Sequence, residues 1–128
     1  MTLSLDAHAL IWAVDDPQRL GREAARALED PANELLVSAG TIWEIAIKIG
    51  LGKLSLSLPF REWMHQAIED RGLTVLPITV EHADGQSRLP LHHRDPFDRL
   101  LVAQAQAEAI AVVSADEVFG TYGIARVW

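Results

Sequence analysis

Four acidic side chains lie where a chain of alternating strands and helices would gather them into one cluster. They are, in chain order, Asp6, Glu44, Asp98 and Asp116. In a parallel sheet, the carboxyl ends of the strands share one edge with the amino ends of the following helices. Carboxylates gathered at that edge repel one another unless a cation joins them. Because hard divalent cations prefer oxygen ligands, the pattern predicts a Mg²⁺ or Mn²⁺ site.

Each of these acids also has a structural interpretation. Asp6 and Asp116 suit the N-cap of a helix, where a carboxylate accepts backbone N–H groups. Glu44 could pair with Lys48 in a surface contact, or form a capping box with Thr41. The residues around Glu44, between positions 42 and 47, are all apolar, and burying a charge there costs free energy unless another charge meets it. Glu44 is therefore the acid that a purely structural interpretation explains least.

A D-P-x-D sequence marks the start of a further helix. Asp95 suits the N-cap, Pro96 the first helical position and Asp98 the third, near the positive end of the helix dipole. We expect Asp98 to point toward the same edge as Asp6 and to be the better metal ligand. Whether Asp95 assists the site or only caps the helix stays open.

The hydrophobic pattern predicts five strands separated by helices. The strands are 2–5, 35–37, 74–76, 110–114 and 125–127, and the helices are 7–14, 18–29, 39–49, 59–70, 80–86, 95–109 and 116–121. Residues 54–58 alternate leucine with serine and fit either a small edge strand or an extended arm. Strands joined through helices indicate an α/β fold, with a mostly parallel sheet and helices on both faces.

Composition limits the remaining possibilities. The 128 residues are 49% hydrophobic and are expected to form one domain, 1–128. The absence of cysteine excludes disulfides, thiolate metal sites and a cysteine nucleophile. The net charge of −7 counts against nucleic-acid binding, although bound metal can reverse the local sign at a site. A poor signal-peptide pattern and the lack of an apolar run near roughly 18 residues favour a cytoplasmic protein without a membrane span.

Four segments, taken in order, resemble the PIN-domain ribonucleases and in particular the VapC-like toxins of bacterial toxin–antitoxin pairs. The segments are LSLDAHALIWAV, SAGTIWEIAIKIGLGKL, LPLHHRDPFDRLLVAQA and VVSADEVFGTYG. D-x-H or S-A-D alone is unspecific, whereas W-E-I-A-I-K followed by H-R-D-P-F-D-R-L-L is highly specific. The resemblance covers essentially the whole chain.

The resemblance implies a PIN-like three-layer α/β/α fold with a central sheet of four to five strands. It also implies a Mg²⁺- or Mn²⁺-dependent endoribonuclease with Asp6, Glu44, Asp98 and Asp116 as catalytic and metal-binding residues. An RNA substrate, a cognate antitoxin and a homodimer follow from the same likeness. An apolar helix at 42–49 and the segment 51–60 fit such contacts. The RNA target, the antitoxin and the number of metal ions are not implied.

One position departs from the family pattern, and two arginines are further candidates. Many relatives have Ser or Thr two positions after the first Asp, where this chain has His8. His8 either replaces that polar contact or alters it. Arg94 and Arg99 are candidates for substrate binding because arginine binds phosphate bidentately. Arg99 could instead pair with Asp95 four residues earlier.

Two other groups of side chains fit structural roles better than chemical ones. His92 and His93 are expected to belong to a solvated polar loop rather than to contact phosphate. Trp12 and Trp43 lie in apolar segments at helical spacing, which favours a core or interface position over base stacking. The alternative function is a PIN-like RNA- or protein-binding module with weak or no catalysis. A metal-dependent phosphatase or DNA nuclease is a lesser alternative.

Overall fold

A five-stranded, wholly parallel sheet forms the centre of the molecule. The computed structural model describes Met1–Trp128. The strands are β1 (Thr2–Leu5), β2 (Glu34–Ser38), β3 (Thr74–Leu76), β4 (Ala111–Val113) and β5 (Arg126–Val127). They lie in the order β3-β2-β1-β4-β5, and every neighbouring pair is parallel. The predicted α/β fold is confirmed, with the sheet at the upper end of the expected strand number.

Seven α-helices connect the strands. They are α1 (Ala7–Asp15), α2 (Arg22–Glu29), α3 (Ala39–Gly50), α4 (Phe60–Arg71), α5 (Val80–Ser87), α6 (Pro96–Glu108) and α7 (Val118–Thr121). A short 3-10 turn, Pro17–Arg19, precedes α2. No helix is long and apolar enough to cross a membrane.

The strand register brings distant residues to one edge. Leu5 at the end of β1 is paired with Val37 of β2 and with Val113 of β4. The chain adds β2 and β3 on one side of β1 and then crosses to place β4 and β5 on the other side. The direction of winding therefore reverses between β1 and β4. Ligands of such sheets bind outside the carboxyl ends of the strands at this point, which is where Asp6 and Ser114 lie.

Two apolar clusters cover the two faces of the sheet. Val113 belongs to a cluster of 18 buried residues with α1, α3 and α4, whereas Val112 belongs to a second cluster with α6 and Phe119. Adjacent residues of a strand point to opposite faces, so these neighbours serve different helical layers. Burying each large apolar side chain contributes about 1.5–3 kcal/mol. The three-layer arrangement confirms that helices pack on both faces.

The helix predicted at 18–29 is wrong in its first half. The chain forms the 3-10 turn and then restarts as α2, with Gly21 at its N-cap. A Cβ atom on Gly21 would come within 2.2 Å of the Trp128 carbonyl oxygen. That carbonyl also accepts the Ala24 N–H at 2.9 Å. The C-terminal residue thus packs against the start of α2 and accepts one of its free N–H groups. The short helix predicted from 116 likewise starts later, at Val118.

Residues 54–58 form an extended arm and no strand. Asp15, at the end of α1, anchors this arm. Its carboxylate accepts the Ser57 N–H at 3.0 Å, the Ser57 hydroxyl at 2.6 Å and the Trp63 indole N–H at 3.0 Å. Burial opposes the charged form, but the hydrogen bonds from Ser57 and Trp63 outweigh it and lower the pKa of Asp15. One carboxylate thereby fixes the arm to the core.

Candidate active site

A cavity of about 400 Å³ opens at the carboxyl edge of the sheet. All four acids singled out from the sequence line it. Its polar and aromatic lining is Asp6, His8, Trp12, Glu44, Lys48, His93, Asp95, Asp98 and Asp116. Residues drawn from the whole length of the chain therefore meet in one place. Arg94 and Arg99 do not line this cavity.

Asp6 both caps a helix and lines the cavity. It follows β1 directly and forms the N-cap of α1, where its Oδ1 accepts the Ala9 N–H at 2.9 Å. The residue is 9% exposed. Burial raises the pKa of Asp6 above its ordinary value, although hydrogen bonds from Ser114 and Ala9 partly offset this. The nearby negative charge of Glu44 also raises this pKa. A bound cation would have the opposite effect and favour the ionised carboxylate.

Glu44 enters the cavity from α3 and carries its own counter-charge. Lys48 Nζ lies 2.6 Å from Glu44 Oε2, and Glu44 is 5% exposed. The predicted pair exists, but it is largely buried rather than a surface contact. Burial opposes the charged lysine, yet the hydrogen bond and charge of Glu44 outweigh it and raise the pKa of Lys48. Lys48 therefore adds a fixed positive charge to the cavity, a role that spacing alone did not indicate.

The start of α6 places two carboxylates side by side. Asp95 is the N-cap, and its Oδ1 accepts the N–H groups of Phe97 at 2.8 Å and Asp98 at 3.2 Å. Burial raises the pKa of Asp98 to about 6, despite a hydrogen bond with His93 that lowers it. The charges of Asp95, Asp6 and Glu44 contribute to this rise in the pKa of Asp98. Three neighbouring carboxylates thus oppose the ionisation of Asp98.

His93 lies in the predicted loop, but its ring lines the cavity, so the expectation of a solvated side chain is wrong. Its Nε2 lies 2.9 Å from Asp98 Oδ2, and the imidazole is only 31% exposed. One ligand atom each from His93, Asp98 and Asp116 lie within 4.8 Å of one another. The only sequence signal for this position is that His93 precedes the D-P-x-D start of α6. That signal does not indicate the direction of the ring.

Tyr122 holds the loop that carries His93. Its Oη accepts the backbone N–H groups of His92 at 3.1 Å and His93 at 3.0 Å, and donates to the Pro90 carbonyl at 2.9 Å. The phenol ring also packs against the His92 imidazole, with 4.9 Å between ring centroids. The phenol thus replaces regular secondary structure as the hydrogen-bonding partner of this loop.

Arg99 reinforces the same loop. Its Nη1 donates to Tyr122 Oη at 3.2 Å and to the Pro90 carbonyl at 3.0 Å, and its Nη2 contacts the Gln86 and Leu89 carbonyls at 3.3 and 3.4 Å. It makes no ion pair with Asp95. The guanidinium N–H groups therefore bind backbone carbonyls in and next to this loop. Arg94, in contrast, is exposed.

Asp116 and His8 form the outer rim. Asp116 is exposed, and its Oδ1 accepts the Val118 N–H at 2.9 Å while its own N–H donates to the Ser114 hydroxyl at 3.0 Å. His8 is also exposed and packs against Trp12, with 5.4 Å between ring centroids. Both side chains are free to meet a ligand that enters the cavity.

The donor set fits a divalent cation. Five carboxylates line the cavity, against one permanently charged lysine. The raised pKa of Asp98 and of Asp6 reflects the cost of ionising these buried acids close to one another. Carboxylate oxygens are the ligands that Mg²⁺ and Mn²⁺ prefer, and an imidazole is also acceptable to Mn²⁺. A hard or borderline divalent cation is the counter-charge that this arrangement accommodates.

Comparison with known proteins gives the family. The PIN domain model matches residues 3–124. The chain is 33% identical over 116 residues to Ribonuclease VapC22 of Mycobacterium tuberculosis. The aligned segment covers 90% of this chain and 87% of the relative. The fold is similar to VapBC2 from Rickettsia felis, bound to a promoter DNA fragment (TM-score 0.74, 15% identity, 98% and 97% of the two chains covered). It is also similar to VapBC-1 from nontypeable Haemophilus influenzae (TM-score 0.65, 15% identity, 98% and 96% covered).

These likenesses agree with the structure. The parallel sheet, the helical layers and the acidic edge are those expected from the four sequence segments. The resemblance stated from the sequence is confirmed, and the chain belongs to the PIN-domain family as a VapC-like member.

Proposed function

We propose that this chain is a metal-dependent endoribonuclease, a VapC-like toxin that hydrolyses RNA phosphodiester bonds. The observation that carries the proposal is the convergence of Asp6, Glu44, Asp98 and Asp116 in one cavity. The relative that covers 90% of the chain is a ribonuclease by name, which supports the same activity. Mg²⁺ or Mn²⁺ is the proposed cofactor.

The residues that would hold the cation are Asp6, Asp98 and Asp116, with Glu44 facing them from α3. A divalent cation bound there would lower the pKa of the attacking water and neutralise charge on the phosphodiester. The His93 ring fixes the direction of the Asp98 carboxylate through its 2.9 Å contact. Such support keeps a ligand oriented before the cation arrives.

The other side chains act on the phosphate and on the proton. Lys48 Nζ, held by Glu44, is a fixed positive charge that faces a phosphate oxygen. A cavity carboxylate accepts the proton of the attacking water, as a general base must within hydrogen-bonding distance. The water oxygen bonds to phosphorus and the bond to the leaving oxygen breaks. The leaving oxygen takes a proton from bulk water, to which the cavity carboxylate returns the proton that it accepted.

The activity is tested by RNA cleavage with wild-type chain, Asp6→Asn and Asp98→Asn, each with Mg²⁺, with Mn²⁺ and with EDTA. We expect each variant to lower kcat/KM by about 100-fold or more, since a ligand and proton acceptor is lost. Asp70→Asn, which removes an exposed carboxylate outside the cavity, is the matched control and should cleave like wild type. Equal cleavage by all four proteins, or cleavage that persists in EDTA, would contradict the proposal.

A cognate antitoxin and a homodimer are proposed as partners. One similar fold is described as a toxin–antitoxin complex from Klebsiella pneumoniae. Trp43 on α3 is 63% exposed and packs edge-on against Phe97, with 5.9 Å between ring centroids. Leu51 is also 64% exposed. Light scattering on the purified chain should give twice the 14.1 kDa chain mass, and a monomer at micromolar concentration would contradict the homodimer.

A further inference from the structure

An acidic ribonuclease must bind a polyanion with few cations. The chain carries −7, and its cavity holds five carboxylates beside Lys48. Arg99 is engaged with the loop backbone, and Arg94 is exposed but does not line the cavity. RNA that reaches the cavity therefore needs positive charge next to it rather than in it.

A groove of about 420 Å³ adjoins the cavity along α1. The two share His8 and Trp12 as lining residues, so they adjoin at these side chains. The groove is also lined by Arg19, from the 3-10 turn, and Lys53, which directly precedes the arm. We call this surface the α1 groove and define it by His8, Trp12, Arg19 and Lys53.

Both cations of the α1 groove are available to a ligand. The Arg19 guanidinium lies 4.5 Å from the centre of a Trp12 ring. An Asp16 carboxylate oxygen lies 3.9 Å from Arg19 Nε. Arg19 is exposed and Asp16 is half-buried, so this long, solvent-accessible ion pair contributes little. Stacking on the indole therefore orients Arg19 while its Nη groups stay free. Lys53 is exposed and forms no ion pair.

Two acids, Asp15 and Asp16, also line this groove. Asp16 lies beside Arg19, and the two oxygens of Asp15 accept three hydrogen bonds from Ser57 and Trp63. The same bonds fix the arm, and the Lys53 N–H donates to the Lys48 carbonyl at 2.8 Å. The backbone that carries Lys53 is thus held in place beside the groove.

We propose that the α1 groove binds the phosphate backbone of single-stranded RNA where the strand leaves the cleavage site. The proposal rests on the proposed function. Arg19 and Lys53 contact phosphates, and His8 and Trp12 join the groove to the cavity. Exposed cations beside an aromatic side chain, as Arg19 and Lys53 are beside Trp12, are features of grooves that bind single strands with little sequence preference. Arg19 and Lys53 are binding residues here, outside the catalytic cavity.

The test compares RNA binding by wild type with the double variant Arg19→Ala/Lys53→Ala. The probe is a fluorescein-labelled oligouridine of about eight nucleotides, in EDTA so that cleavage does not interfere. Kd is followed by fluorescence anisotropy over a series of NaCl concentrations. We expect Kd to rise about tenfold and the slope of log K against log salt to fall by about 1.4, or about 0.7 for each lost phosphate contact.

The control variant is Arg26→Ala/Arg88→Ala, which removes the same charge from residues that line neither the cavity nor the groove. Its Kd should stay within about twofold of wild type, since screened surface charges act weakly at a distance. Equal losses in the two double variants would overturn the proposal. Matching thermal unfolding curves check that both variants are folded.

Two further outcomes separate this proposal from others. If a polyglutamate peptide of equal charge binds with the same dependence on Arg19 and Lys53, the groove is an acidic-peptide surface and the RNA assignment fails. With Mg²⁺ present, the groove variant should raise KM for RNA and leave kcat unchanged. Groove-dependent binding without any cleavage would overturn the proposed function but keep the groove. Cleavage by the groove variant with an unchanged KM would overturn the groove proposal but keep the proposed function.

Discussion

Two acids of this site, Asp6 and Asp95, cap helices and also line the cavity. Each uses Oδ1 to accept backbone N–H groups at the start of a helix. The caps do not use Oδ2 of either residue, which leaves that oxygen for a second role. Capping and metal binding are therefore compatible in one side chain. For this reason the sequence pattern, which treats them as alternatives, cannot decide between them.

Asp95 allows the two roles to be separated by substitution. Serine caps helices about as well as aspartate, whereas alanine costs about 1 kcal/mol. We expect Asp95→Ser to unfold in urea like wild type and Asp95→Ala to lose about 1 kcal/mol of unfolding free energy. If Asp95 only caps, Asp95→Ser also keeps the Mn²⁺ affinity measured by calorimetry. A large loss of affinity in this variant, with stability retained, would instead make Asp95 a ligand.

Asp98 gives the metal-free protein a pH-dependent stability. Because burial raises the pKa of Asp98 from 3.8 to about 6, the native state holds a proton that the unfolded chain releases. The stabilisation from this proton is complete below about pH 4 and is lost as pH rises through about 6. The unfolding free energy should therefore fall by about 1 kcal/mol between about pH 5 and about pH 7.

Urea unfolding in EDTA at the two pH values measures this loss. Asp98→Asn cannot titrate and should show a smaller fall over the same interval. The lowered pKa of Asp15 does not interfere, because its contribution is lost only as pH falls below its ordinary value of 3.8. Identical pH dependence in wild type and Asp98→Asn would show that Asp98 is not the responsible group.

At the level of elements, the local sequence pattern predicted those helix starts and segments that depend on residues close together in the chain. The D-P-x-D sequence located the start of α6, and the apolar run around Glu44 indicated a buried helix. Contacts that join distant parts of the chain were missed. Tyr122 is 29 residues from His93, and Trp128 meets Gly21 across the fold. No local propensity carries such information.

The loop before α6 depends on one phenol oxygen. Tyr122→Phe removes the group that binds the N–H groups of His92 and His93 and contacts Arg99, while it preserves the ring. We expect a loss of about 1–2 kcal/mol in unfolding free energy, because buried or half-buried N–H groups lose their partner. We also expect weaker Mn²⁺ binding, since His93 no longer holds Asp98 in one direction. Faster amide exchange in residues 90–94 should accompany both changes.

Thr79→Ala is the matched control for this variant. The Thr79 hydroxyl caps α5 by accepting the His82 N–H at 3.1 Å, outside the cavity. Its removal should cost about 1 kcal/mol and leave Mn²⁺ affinity unchanged. If the two variants weaken Mn²⁺ binding equally, the effect comes from general destabilisation and the loop has no special part in it.

For the whole molecule, topology explains why the site could be located but not completed from the sequence. The carboxyl ends of parallel strands lie at one edge, so strand order alone brings Asp6 and Asp116 together. The side chains that contact the other two acids, Lys48 with Glu44 and His93 with Asp98, come from a helix face and a loop. Their direction depends on packing between layers, which the pattern of a single chain does not specify.

The same edge should couple metal binding to the stability of the entire fold. A cation that binds only the native state at about 100 times its Kd adds about 2.7 kcal/mol to the unfolding free energy. Thermal unfolding of wild type should therefore shift upward with Mn²⁺ relative to EDTA. The shift should be larger at about pH 7 than at about pH 5, because the cation displaces the proton that Asp98 holds near its pKa of about 6. Asp98→Asn should reduce the shift and weaken its pH dependence, whereas the Asp70→Asn control should retain both. An equal, pH-independent shift in all three proteins would place the bound cation elsewhere on this acidic chain.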